Sequence, residues 1–269
     1  MKVLLVEDDV KIATAIQRGL TAEGFTVEVA FDGDDDTTAG TTTTSEAAAE
    51  PVIDPGDGGH YAPELDPADF VAVVDNPYLP LEPGTKWVYE GEDDGEAERD
   101  VVEVLDETRE IEGITATVVH DSVYVEGKLA EDTFDWYAQD KDGNVWYLGE
   151  DSHEYEDGKA TSAKGSWEYG KDGALPGIAM PADPTVGDAY RQEYAAGEAE
   201  DMGEVLDVGV SKDIALGTYD DVVVTKDWNP LEPDVVEEKW YAAGVGVIYE
   251  TKTAGGTASS ELTELTPAG

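Results

Sequence analysis

From Thr85 onward, short alternating apolar runs are broken again and again by Asp-Gly and related turn pairs, and this pattern leaves the chain few folds to adopt. Trp87 and Tyr89 share one strand face before Asp93-Asp94-Gly95 turns the chain. Val102, Val104, Thr117, Val119 and Val123 continue a period of two, which sends successive side chains to opposite faces of a strand. Residues 134–139, a turn over 140–143 and residues 144–148 read as a hairpin, because apolar alternation flanks a turn-forming cluster. Asp157-Gly158 and Asp172-Gly173 mark further turns. Later strands are expected near residues 190–194, 205–210, 222–226, 235–241 and 245–251. From residue 60 onward, residues 66–74, set among Pro63, Pro67, Pro77, Pro80 and Pro83, are the one place where a short helix is expected. Roughly ten strands with so little helix imply a mainly β fold, an antiparallel meander curling into a barrel or half-barrel.

Charge narrows the function. Among 269 residues, 63 are Asp or Glu and 16 are Lys or Arg, a formal net charge of −47. Nucleic acid is excluded as a partner, since a phosphate backbone is held by cationic side chains. Docking on anionic membrane surfaces is disfavoured for the same reason. No window approaches the length of apolar chain that a transmembrane helix needs, and no signal-peptide pattern opens the sequence. The absence of cysteine removes disulfides, thiolate catalysis and thiolate metal sites. The 6 Trp and 13 Tyr either fill a core, the default for aromatics at alternating strand positions, or line a small-molecule cavity as in cup-shaped barrels. Many acidic residues alternate with apolar ones, as Glu103 does between Val102 and Val104, and are expected on a solvated outer face.

Composition divides the chain into three parts: residues 1–33, 34–59 and 60–269. In the first, the apolar run Val3-Leu4-Leu5-Val6 precedes Glu7-Asp8-Asp9. Ile12, Ala15, Ile16 and Leu20 then recur at helical spacing, and Phe25, Val27 and Val29 alternate, a β-α-β opening. This stretch resembles the start of a bacterial response-regulator receiver domain, truncated after Gly33. The resemblance implies Mg²⁺ ligation by Asp8 and Asp9 and phosphoryl transfer to an aspartate on a third strand. No such strand follows. Asp54 stands at roughly the right distance between Pro51 and Pro55, but flanking prolines are foreign to a central strand.

Residues 34–59 are rich in Asp, Thr, Ala and Gly and read as a flexible tether. The Asp and Thr run resembles the segment that follows the lipidated cysteine of exported bacterial lipoproteins. The body resembles uncharacterised exported β-rich lipoproteins in three phrases, residues 76–89, 184–188 and 240–247. That resemblance implies an extracytoplasmic, cell-envelope setting and no assigned activity; protein partners are unspecified.

The candidate sites are few. Asp140, Asp142 and Asn144 resemble a calcium loop, with alternate oxygens able to face a hard cation. Val145 stands where the EF-hand pattern needs glycine, and a plain hairpin turn is the competing reading. His60, His120 and His153 form no close-spaced pair that would mark a zinc site. No Gly-x-Ser-x-Gly elbow or glycine-rich phosphate loop is present. Three readings stand open: a noncatalytic envelope β domain binding a small apolar or sugar ligand, a phosphorelay response regulator, and a secreted hydrolase using carboxylates.

Overall fold

The computed structural model describes residues 2–6, 26–30 and 61–269. It divides into two compact units, Met1–Ala49 and Glu50–Gly269. In the first, β1 (Lys2–Val6) and β2 (Thr26–Ala30) pair in parallel, Lys2 opposite Thr26 and Val6 opposite Ala30. These are the two strands expected of the β-α-β opening. The helix expected between them, Asp8, Asp9, Asp54, His60 and the tether expected over 34–59 fall outside the described residues.

The second unit opens with a single turn of 3-10 helix, Pro67–Asp69. Asp66 caps it by accepting the Ala68 N–H at 2.9 Å. The helix expected over residues 66–74 stops there. Phe70 turns extended and bridges Asp140, and the Val71 N–H donates to the Gln139 carbonyl at 2.9 Å. Sheet hydrogen bonds and the β-branched Val71, Val73 and Val74 outweigh helix propagation. β3 (Asp75–Asn76) and β4 (Leu79–Pro80) then form a small pair of their own.

One fourteen-stranded antiparallel sheet makes up the rest. β5 (Lys86–Asp93), β6 (Glu96–Ile111), β7 (Ile114–Val125), β8 (Lys128–Gln139) and β9 (Val145–Glu156) run up and down in chain order, with β10 (Lys159–Ser162) outside β9. The short β11 (Trp167–Glu168) and β12 (Gly177–Met180) also pair with β9. β13 (Ala189–Arg191), β14 (Met202–Ile214), β15 (Gly217–Trp228), β16 (Val236–Ala242), β17 (Gly246–Ala254) and β18 (Ala258–Thr266) form a second meander. β18 pairs with β5 and joins the two meanders into one sheet.

Tight turns set the register. Asp94-Gly95, Glu112-Gly113, Glu126-Gly127 and Asp157-Gly158 each place both residues at positive φ, the twist that matches neighbouring right-twisted strands. Register shifts interrupt most long pairings, and such bulges bend and coil a sheet. The sheet curls without closing into a barrel, and its two ends approach each other. Leu175 donates its N–H to the Tyr194 carbonyl at 2.8 Å. The backbone at Gly177 runs so close that a Cβ there would lie 1.9 Å from the Gln192 carbonyl oxygen.

The mainly β, curled antiparallel fold is as the sequence predicts. Within the large sheet, the strands not foreseen are β10, β11, β12 and β18. Three of these have four residues or fewer, and β18 buries only Leu262 fully. The core gathers Trp87, Val104, Val119, Trp136, Trp146, Ile178, Val223 and Leu262 from both meanders.

Candidate functional site

Inside the curl lies a cavity of about 290 Å³. Most of its lining comes from strands whose period-two alternation aims one set of side chains inward. On β5 this set is Trp87 and Tyr89, which face Val102 and Asp100 of β6. Across the next pairing, Asp121 of β7 stands opposite Val102, one step diagonal from Asp100. Tyr137 of β8 and Tyr147 of β9 are stacked at 4.7 Å and 16°. Lys239 and Tyr241 come from β16, and Glu250 of β17 faces Lys239 directly across the ladder. Gln192 and Glu193, beyond β13, complete the lining from the sheet's far end.

Hydrogen bonds hold the aromatic walls. Trp87 Nε1 donates to the Val245 carbonyl at 2.8 Å, and the Tyr89 hydroxyl to the Val247 carbonyl at 3.0 Å. The Tyr147 hydroxyl donates to Asp135 Oδ1 at 2.5 Å. Lys239 Nζ stands 3.4 Å from Asp227 Oδ2, whose carboxylate also accepts Thr225 Oγ1 at 2.6 Å and Gln192 Nε2 at 3.2 Å.

The electrostatics inside are unusual for carboxyls. Burial pushes Asp100 up to about 6, Asp135 and Glu250 to about 7, and Glu150 to about 8. Taking a charge out of water penalises the ionised form. Asp121 goes well above the ordinary carboxylate range, first through burial and then through the charge of Asp100. Hydrogen bonding between the two favours the proton on Asp121 and ionised Asp100. Glu193 and Asp201 form a second such pair, with Glu193 holding the proton. Glu250 beside it keeps the Lys239 ammonium protonated well above the ordinary lysine range. Asp100 Oδ1 and Asp121 Oδ1 are beyond the reach of solvent and accept no hydrogen bond from any N–H or hydroxyl donor of the protein.

The residues singled out from sequence lie elsewhere. Asp140 Oδ1 accepts the backbone N–H groups of Asp142 and Asn144 at 3.0 and 2.9 Å. Its Oδ2 accepts Asn144 Nδ2 at 2.9 Å and Trp146 Nε1 at 2.8 Å. Asn144 Oδ1 accepts the Ala182 N–H at 2.9 Å. Asp140 and Asn144 thus direct their side-chain oxygens to N–H groups of the protein, while Asp142 is exposed. His120 stacks on Phe134 at 4.4 Å, and its Nε2 meets both Asp132 Oδ1, at 2.7 Å, and Ser122 Oγ, at 3.3 Å. A nucleophile relay needs the two ring nitrogens to serve different partners, so this cluster is no such relay. His153 Nδ1 lies 3.5 Å from Asp151 Oδ1, apart from His120. Among the described residues, no group of three or more His, Asp or Glu side chains converges as a metal site would.

Sequence reading missed the inner carboxylates. Glu103 does lie outside, its side chain 45% exposed and 3.5 Å from Lys86. The signal for the others was parity: Asp100 is in phase with Val102 and Val104, the latter fully buried.

No protein-family model matches the chain, and no curated protein matches it. Among solved structures it is similar to a protein with a YmcC-like fold, described as exported, from Bacteroides fragilis. The identity is 15%, the TM-score 0.43, and the match covers 71% of this chain and 99% of that one. It is also similar to a protein described as a lipoprotein from Parabacteroides distasonis, with 14% identity, a TM-score of 0.39 and the same coverage.

Proposed function

We propose that the unit Glu50–Gly269 is a noncatalytic cell-envelope-type domain that holds a small polar molecule in the cavity of its curled sheet. The observation that carries this reading is the lining itself: tyrosines and carboxyls meet around one space of about 290 Å³. A wholly apolar occupant would set the carboxyls of Asp100 and Glu250 against an apolar surface, which is costly. A molecule with polar hydrogens satisfies them.

The carboxyl geometry bears against the glycosidase form of the hydrolase reading. Asp100 and Asp121 are hydrogen-bonded to each other, closer than the roughly 5 Å or more that separates the paired acids of glycosidases. The envelope setting rests on the lipoprotein-like tether composition and on the phrases at residues 76–89, 184–188 and 240–247.

Tryptophan fluorescence tests the reading, because Trp87 stands in the cavity wall. Screening sugars, polyols, amines and amino acids against the full chain is expected to give a saturable change with one class. Ala179→Phe, which places a ring in the cavity, is expected to abolish it. A change that survives Ala179→Phe, or no change with any class, contradicts the proposal.

A further inference from the structure

We infer, building on the cavity-binding reading above, that the occupant is a small organic cation, an amine or quaternary ammonium, seated between the carboxyls of Asp100, Asp121 and Glu250 and the faces of the wall tyrosines. The first argument is charge. Asp100, Asp121, Glu193 and Glu250 line the cavity, and Lys239 is the single cation among the lining residues. Lys239 is already engaged, 3.4 Å from Asp227 and directly opposite Glu250. The Asp100 and Asp121 Oδ1 atoms receive no donor from elsewhere in the protein. An ammonium supplies a counter-charge to the pair, which shares one proton and so carries one negative charge. A neutral sugar supplies hydroxyls but leaves the excess charge in place.

The second argument is the walls. Tyr89, Tyr137, Tyr147 and Tyr241 surround the same space, and aromatic faces attract cations through their quadrupole. The third separates an organic cation from a bare metal ion. Calcium needs six to eight oxygens at about 2.3–2.6 Å, and among the described residues no group of three or more ligating side chains converges. Carboxyls spread around an aromatic wall suit a cation whose charge is carried on a larger body.

Isothermal titration calorimetry on the full chain in 0.15 M NaCl, a concentration that screens exposed charges beyond about 8 Å, tests the inference with choline, putrescine and glucose as probes. The expected result is saturable binding of choline or putrescine, weakened about tenfold or more by Asp100→Asn, which removes the charged member of the pair. Glu204→Gln, which neutralises a solvent-facing acid paired with Lys226, is expected to leave the affinity unchanged. Glu250→Gln provides a second cavity variant should Asp100→Asn fail to fold. Binding of neither cation overturns the inference. Cation binding weakened equally by Glu204→Gln and Asp100→Asn also overturns it, since that is diffuse attraction to a chain of net charge −47. Glucose binding that is blocked by Ala179→Phe, with no cation binding, overturns the cation and keeps the cavity function.

Discussion

Asp100 and Asp121 hang from neighbouring strands onto one wall of the cavity, and the proton they share rests on Asp121. Burial sets this arrangement, and burial makes it sensitive to pH. Around Asp121 stand Asp100 and Glu98 from β6, Glu131 and Asp135 from β8, His120 on its own strand, and Glu250 facing Asp100 from β17.

Stability is therefore expected to fall as pH rises through the neutral range. Asp100, Asp135, Glu250 and Glu150 titrate at about 6, 7, 7 and 8 in the folded chain, against about 4 when unfolded. The folded state binds these protons more tightly, so their contribution is full below about pH 4, falls as pH rises, and is gone once pH passes the folded values of about 6 to 8. Melting temperatures measured from pH 5 to pH 9 are expected to decline steadily. A flat or rising profile contradicts the buried-acid account.

A single variant isolates one of these groups. Asp135 is 8% exposed and accepts the Tyr147 hydroxyl, a bond that an amide oxygen also accepts. Asp135→Asn is expected to stabilise the protein at pH 9 by on the order of a few kcal/mol and to change little at pH 5. Urea unfolding at the two pH values checks this; equal effects at both would show that ionisation is not what the substitution removes.

The β fold was legible because turn pairs and period-two alternation are local signals: Asp94-Gly95 and Asp157-Gly158 turn where their residue types predict. The helix expected over residues 66–74 failed because its competitor, pairing of Phe70 with Asp140, is a contact across the chain that no local pattern records. The inner acids failed for a related reason. An acidic residue on an alternating strand reads as solvent-facing until the partner strand's face is known. Parity with Val102 and Val104 marks the Asp100 face as inward, and the register of Tyr89 opposite Asp100 places it in the curl.

The approach of the sheet's ends has its own test. An added Cβ at Gly177 would lie 1.9 Å from the Gln192 carbonyl oxygen. Gly177→Ala is expected to destabilise the protein by about 1–3 kcal/mol or more, measured by urea unfolding. A neutral substitution would mean the two ends do not meet there.

Salt is expected to raise the melting temperature, since a net charge of −47 repels itself and added ions screen it. Calcium is expected to add nothing beyond its ionic strength, because the Asp140 oxygens and Asn144 Oδ1 already accept protein N–H groups. Melting curves in NaCl and CaCl₂ at matched ionic strength, repeated on Asp142→Asn, check both. A calcium increment lost in Asp142→Asn would restore the loop as a cation site.

The central claim, that the interior of the curled sheet is a ligand site, is tested most directly by the indole N–H spectrum of ¹⁵N-tryptophan-labelled protein. Trp87 stands in the cavity wall with its Nε1 bonded to the Val245 carbonyl, while Trp228 lies away from the lining beside Lys226. Titrating choline or putrescine, with resonances assigned by Trp87→Phe and Trp228→Phe, is expected to shift the Trp87 signal saturably and leave that of Trp228 in place. Equal shifts at both, or a Trp87 signal unmoved by any compound that binds, would contradict the account.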